Sequence, residues 1–196
     1  INLLPVGATF TAERDSYLKL IERLDMSYQF GGKRNFDLNE INDGEYNDWI
    51  GAQIRIDMYG WVLPGKPKLA AELARRDAIL SHRGCAVEAS AYIAGLCALI
   101  PDSNSREEAV NTALGLIDKD SEAHEAVLLG INNAGKPASN LHEHYGDMSP
   151  VHSLNNLSVV VWAFLSFQDS FDEAIGETIC CGWDTDCTGA TVGGLI

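Results

Sequence analysis

Apolar residues along most of this chain recur every three or four positions, not every two. Tyr17, Leu18, Leu20, Ile21, Leu24 and Tyr28 keep that spacing with charges between them, so residues 12–29 read as an amphipathic helix. Polar residues and glycines from 31 to 44 predict a long loop. Pro64-Gly65 closes the segment 47–61, and Pro67 opens a helix running to about residue 80, since a proline costs nothing in the first turn. An apolar helix over 85–100 stops before Pro101. Ser105 with Glu108, and Ser170 with Glu173, match the capping-box pattern at helix starts. A helix over 121–133 ends in the turn Asn133-Ala134-Gly135-Lys136-Pro137, and residues 139–150 read as a polar, His-bearing loop. The run 156–167 is apolar enough for a core helix, and the helix opened by Ser170 ends near Gly182. No alternating strand, hairpin signal or internal repeat stands out. The expected fold class is all-α, a compact multi-helix domain.

Composition narrows the function. The 196 residues suit one domain, and a formal net charge of −14 disfavours phosphate backbones and anionic membranes as partners. No apolar stretch in the sequence reads as long enough to span a bilayer, and the first residues carry no positively charged leader. Five cysteines, Cys85, Cys97, Cys180, Cys181 and Cys187, show no zinc-ligand spacing, which points to reduced thiols and a cytoplasmic protein.

The densest chemistry lies in CGWDTDCTGATVGG, residues 181–194. Asp184 and Asp186 fall between the helix ending near Gly182 and a segment beginning at Cys187, where a loop lets alternate side chains converge. Paired carboxylates suit a hard divalent cation. The small residues after them, Gly189, Ala190, Gly193 and Gly194, suit a closely packed helix. An aspartate before a helix is also a common N-cap, so the residues alone leave both readings open.

This stretch resembles the late signature of the ADP-ribosylglycohydrolase family. Two more blocks follow the family's order: Asn47-Asp48-Trp49-Ile50-Gly51-Ala52-Gln53-Ile54-Arg55 and Asp77-Ala78-Ile79-Leu80-Ser81-His82. The family is all-α and uses two Mg²⁺ or Mn²⁺ ions to cleave the bond between ADP-ribose and a protein side chain. The resemblance implies metal ligation by Asp184 and Asp186, with Cys187 and Thr188 beside them. Asn47, Asp48, Gly51 and Gln53 would line the ribose and diphosphate site, and His82 would contact the substrate. His152 and Trp183 are further candidates, each with an ordinary alternative: helix capping for His152 and packing for Trp183. Arg55 is either a phosphate contact or an ion-pair partner of Asp57 or Asp77. His142 and His144 are expected in solvent, and His124 on a helix surface. No catalytic residue is assigned.

The chain departs from the family in two places. Cys187 stands where the family usually has threonine, and a thiol is a poor partner for Mg²⁺. The family's early Thr-Asp-Asp segment has no counterpart here, since no Asp-Asp pair occurs in the sequence. The expectation is a single domain over 1–196, incomplete at the N-terminus and ending within a helix, holding half of a dinuclear site that binds one ion or none. The implied substrate is an ADP-ribosylated protein or a small nucleotide-ribose. Two alternatives stand: a non-catalytic structural relative, as the family includes a lens crystallin, and a hydrolase of other ribosides.

Overall fold

The computed structural model describes residues 11–23 and 37–196. These form eleven α-helices and, among the described residues, no β-strand. In order they are α1 (Ala12–Arg23), α2 (Leu38–Ile41), α3 (Asp57–Trp61), α4 (Pro67–Ala78), α5 (Gly84–Leu99), α6 (Arg106–Leu114), α7 (Glu122–Asn133), α8 (Ser139–Tyr145), α9 (Ser153–Ser166), α10 (Phe171–Cys180) and α11 (Thr185–Leu195). Short 3₁₀ turns occupy Gln53–Arg55 and Ile100–Asp102. The all-α expectation is met.

Two helices form the centre because their sequences leave them no polar face. In α5 every residue from Ala89 to Ala98 is buried, and in α9 every residue from Ser153 to Leu165 is. A helix apolar all round must be enclosed on all sides. Small residues set how closely the neighbours approach. Helix α4 turns Ala70, Ala71, Ala74 and Ala78 inward and packs along α5. Gly130 of α7 lets the Ser158 carbonyl of α9 come so near that a Cβ there would lie 2.7 Å from its oxygen. Together α5 and the following turn make a continuous run, Gly84–Asp102, of mean hydropathy 1.5. By length and composition that run could cross a bilayer, contrary to the sequence reading. Its apolarity is accounted for by its central position, with α3, α4 and α6 packed around α5.

Helix ends follow local chemistry. Ser105, Ser121 and Ser170 each accept a hydrogen bond from the backbone N–H three residues on. At the end of α9, Arg106 donates to the carbonyls of Phe164, Phe167 and Gln168, and its guanidinium lies over the Phe164 ring. All five cysteines are free thiols.

Some boundaries need correction. The predicted first helix stops at Arg23 in the described residues; positions 24–29, and 31–36 of the predicted loop, lie outside them. Within that loop, Asp37 accepts from the Asn39 N–H and caps the short helix α2. Residues 139–145 are helix α8, not loop, because Leu141 and Tyr145, four positions apart, bury one face of it. Helix α9 begins three residues earlier than expected, at Ser153, and α11 begins at Thr185, which places Asp186 inside its first turn.

Candidate metal and ribose site

The site is assembled where the N-terminal ends of α9 and α11 meet the segment 47–55. A tight turn delivers the acids. Gly182 (φ +84°) and Trp183 (φ +57°) are both left-handed, so the chain reverses sharply between α10 and α11. Glycine enters that region freely, whereas tryptophan enters it only when its surroundings hold it there. They do: the Trp183 indole stacks on the His142 imidazole of α8, with centroids 4.0 Å apart and planes at 25°. His142 Nε2 also lies 2.7 Å from the Cys181 carbonyl, which can only accept, so the ring donates. Trp183 therefore packs, and His142 is a buttress of the turn, not the exposed loop residue that the sequence suggested.

Asp184 occupies the N-cap position of α11, yet its side chain closes no capping hydrogen bond. Its carboxylate lies instead with Asp186 and Cys187; one donor atom from each of the three falls within 4.8 Å of the others. Burial raises the Asp184 pKa, and the hydrogen bond shared with Asp186 raises it further. That same bond lowers the pKa of Asp186. Two carboxylates close enough to share a proton leave a place for a cation in its stead. The Cys187 thiol is pushed up to about 12, by burial first and by the neighbouring Asp184 second. The donor set therefore fits a divalent ion through two carboxylate oxygens, with a sulfur as the third atom. The Thr188 hydroxyl next to it is buried and donates to the Asp184 carbonyl at 2.8 Å.

Helix α9 ties the acids to the segment 47–55. Asn156, fully buried, accepts the Asp184 N–H at 3.2 Å and donates to the carbonyls of Pro150 and His152. One turn earlier, His152 Nδ1 accepts the Leu154 N–H at 3.1 Å, so the capping role expected for it is present. Its Nε2 lies 3.2 Å from Oδ2 of Asp48, whose side chain is 42% exposed. The backbones are joined as well: Ser153 donates to the Asp48 carbonyl through both N–H and hydroxyl, and Ile50 N–H donates to Val151. The turn Gln53–Arg55 packs against α5 and α11. Gln53 is fully buried, with neither amide atom hydrogen-bonded to protein.

The other candidates are engaged with neighbours of their own. Asn47 spends its side chain on the Asn42 carbonyl and its own carbonyl on Arg83, which makes it a structural link to α2. Gly51 faces the carboxylate end of Glu13, and a Cβ there would lie 2.7 Å from Oε1, a contact that the flexible glutamate can relieve. Arg55 resolves as an ion-pair residue, binding Asp77 at 2.7 Å and Glu13 at 2.5 Å. His82 is fully buried beneath that network, with Nδ1 against the Ser81 hydroxyl and Nε2 3.9 Å from Glu13. The start of α9 touches two groups separately, Asp48 through His152 and the turn of Asp184, Asp186 and Cys187 through Asn156, while Gln53 lies in a turn packed against α11 and His82 is kept out of solvent. Asn156 was missed by sequence reasoning: as the first residue of the apolar run 156–167 it gave no sign that its side chain would reach the acidic turn 28 residues on.

Neither a curated protein nor a solved structure matches the chain. The sequence profile described as ADP-ribosylglycohydrolase matches residues 7–196, nearly the whole length. On that match, and with the all-α fold it requires, the chain belongs to the ADP-ribosylglycohydrolase family.

Proposed function

We propose that this protein is a divalent-metal-dependent hydrolase that cleaves the glycosidic bond between ADP-ribose, or a related nucleotide-ribose, and an acceptor side chain. The observation that carries this reading is the convergence of Asp184, Asp186 and Cys187 on one point, in a turn that Asn156 ties to the start of α9, the same helix end that meets the half-exposed Asp48 through His152. Asp184 and Asp186 would hold Mg²⁺ or Mn²⁺. When bound, such an ion orients ribose hydroxyls and polarises a water. Asp48, an acceptor at the N-terminal end of α9, is suited to hydrogen bonds from ribose hydroxyls. A carboxylate so placed repels the diphosphate, which favours the ribose end of the substrate as its neighbour.

The test is release of ADP-ribose from mono-ADP-ribosylated protein by the complete protein with Mg²⁺ or Mn²⁺, followed by chromatography. Release that disappears in Asp184→Asn supports the reading. No release from any ADP-ribosylated side chain refutes it. One observation favours a second reading, a non-catalytic relative: the protonated thiol of Cys187 is a weak ligand for Mg²⁺. Tight Asp184-dependent binding of metal and ADP-ribose would count against it.

A further inference from the structure

We propose that His152 is a positioning residue for Asp48, fixing the direction in which that carboxylate meets the substrate. The inference rests on the hydrolase reading above and concerns how its site is kept in register.

The backbone already joins the two segments. Ser153 N–H donates to the Asp48 carbonyl at 3.0 Å, its hydroxyl donates to the same oxygen at 2.7 Å, and Ile50 N–H reaches Val151 at 2.9 Å. Holding segment 48–50 against the start of α9 therefore does not require the imidazole. Nor does capping account for the whole ring, because capping uses one nitrogen. Nδ1 accepts from Leu154, which puts the proton of the neutral ring on Nε2. Nε2 is the atom that faces the Asp48 carboxylate at 3.2 Å. The cap thus selects the tautomer, and the tautomer presents a donor to Asp48. The ring is largely covered (15% exposed), while the carboxylate is open to solvent, so the histidine acts from behind and Asp48 faces outward. Asn156, on the same helix end, holds the Asp184 N–H, so Asp48 and the metal-binding acids share one rigid reference.

Asparagine separates the two duties of His152. It is a preferred N-cap residue, so His152→Asn keeps the Leu154 N–H satisfied while its shorter side chain stops short of Asp48. In His152→Asn the melting temperature should stay within about 3 °C of the parent, while kcat for ADP-ribose release falls about 10- to 100-fold with a smaller change in KM. His152→Asn in an Asp48→Asn background should cost little further activity. Nitrogen-15 NMR of labelled histidine supplies a readout that needs no turnover: His152 should show a single Nε2–H tautomer, and Asp48→Ala should hasten exchange of that proton. Wild-type kcat in His152→Asn overturns the positioning role, as does an Nδ1–H tautomer. Absence of turnover by the parent on every ADP-ribosyl substrate overturns the hydrolase reading and this role with it; the NMR signature then tells whether the pair exists apart from catalysis.

Discussion

Asn156 accepts the backbone N–H of Asp184 at 3.2 Å, linking the buried start of α9 to the turn that carries the acids. Its amide nitrogen meanwhile donates to the Pro150 and His152 carbonyls, so one side chain ties three segments together. Asn156→Ala strands those groups in a buried place and should cost about 2–5 kcal/mol in urea denaturation. Metal affinity should fall with it. Parental stability in that variant would mean that the link has no energetic weight.

The acid limb of the stability profile should belong partly to His82. Burial holds its imidazole down to about 4, against an ordinary 6.5, although Glu13 pulls the other way. The unfolded chain therefore takes up a proton that the folded one resists. Stability is complete above pH 6.5 and is lost as pH falls toward 4, by about 3 kcal/mol for a shift of this size. Denaturation curves across that window should be flatter in His82→Gln. An equally steep fall in the variant would assign the loss to other groups.

Cys187 should set which ion the site prefers. A thiolate donor favours softer ions, and reaching it means displacing a proton held up to about 12. Calorimetry should show Cys187→Thr gaining about tenfold in Mg²⁺ affinity and losing at least as much for Cd²⁺. Sulfur-to-cadmium absorption in the ultraviolet should appear in the parent and vanish in the variant. If it is absent from both, the sulfur is not a ligand.

Gly60 tests the scaffold behind segment 47–55. A Cβ on it would collide with the Cys97 side chain and lie 2.7 Å from the Ala94 carbonyl oxygen. Gly60→Ala should destabilise the protein by at least about 2 kcal/mol through overpacking of α3 on α5, seen as a lower denaturation midpoint. A neutral result would show that the two helices can part without penalty.

Much of this was legible in the sequence where one local rule dominated. The serine caps, the breakers and the apolar runs of α5 and α9 each announced an element without help from the rest of the chain. Helix α8 did not, because with only Leu141 and Tyr145 buried its seven residues look like a polar loop. The acids, the Asp48 segment and His152 were legible as candidates, but their common attachment to the start of α9 was not: it depends on contacts such as Asn156 to Asp184 and Ser153 to Asp48, across 28 and 105 positions. Trp183 shows the same limit from the other side. Its left-handed backbone is one that glycine enters freely, yet the stacking partner that lets tryptophan stand there, His142, lies in the segment misread as loop.

The central claim is that carboxylates at the start of α11 gather a divalent ion that in turn engages ribose. Titrating ADP-ribose into the complete protein with and without Mn²⁺ tests it most directly, with Asp184→Asn as the matched comparison. The account predicts binding that requires the ion and weakens at least about 100-fold in the variant. Binding of equal strength without metal, or unchanged in Asp184→Asn, would contradict it.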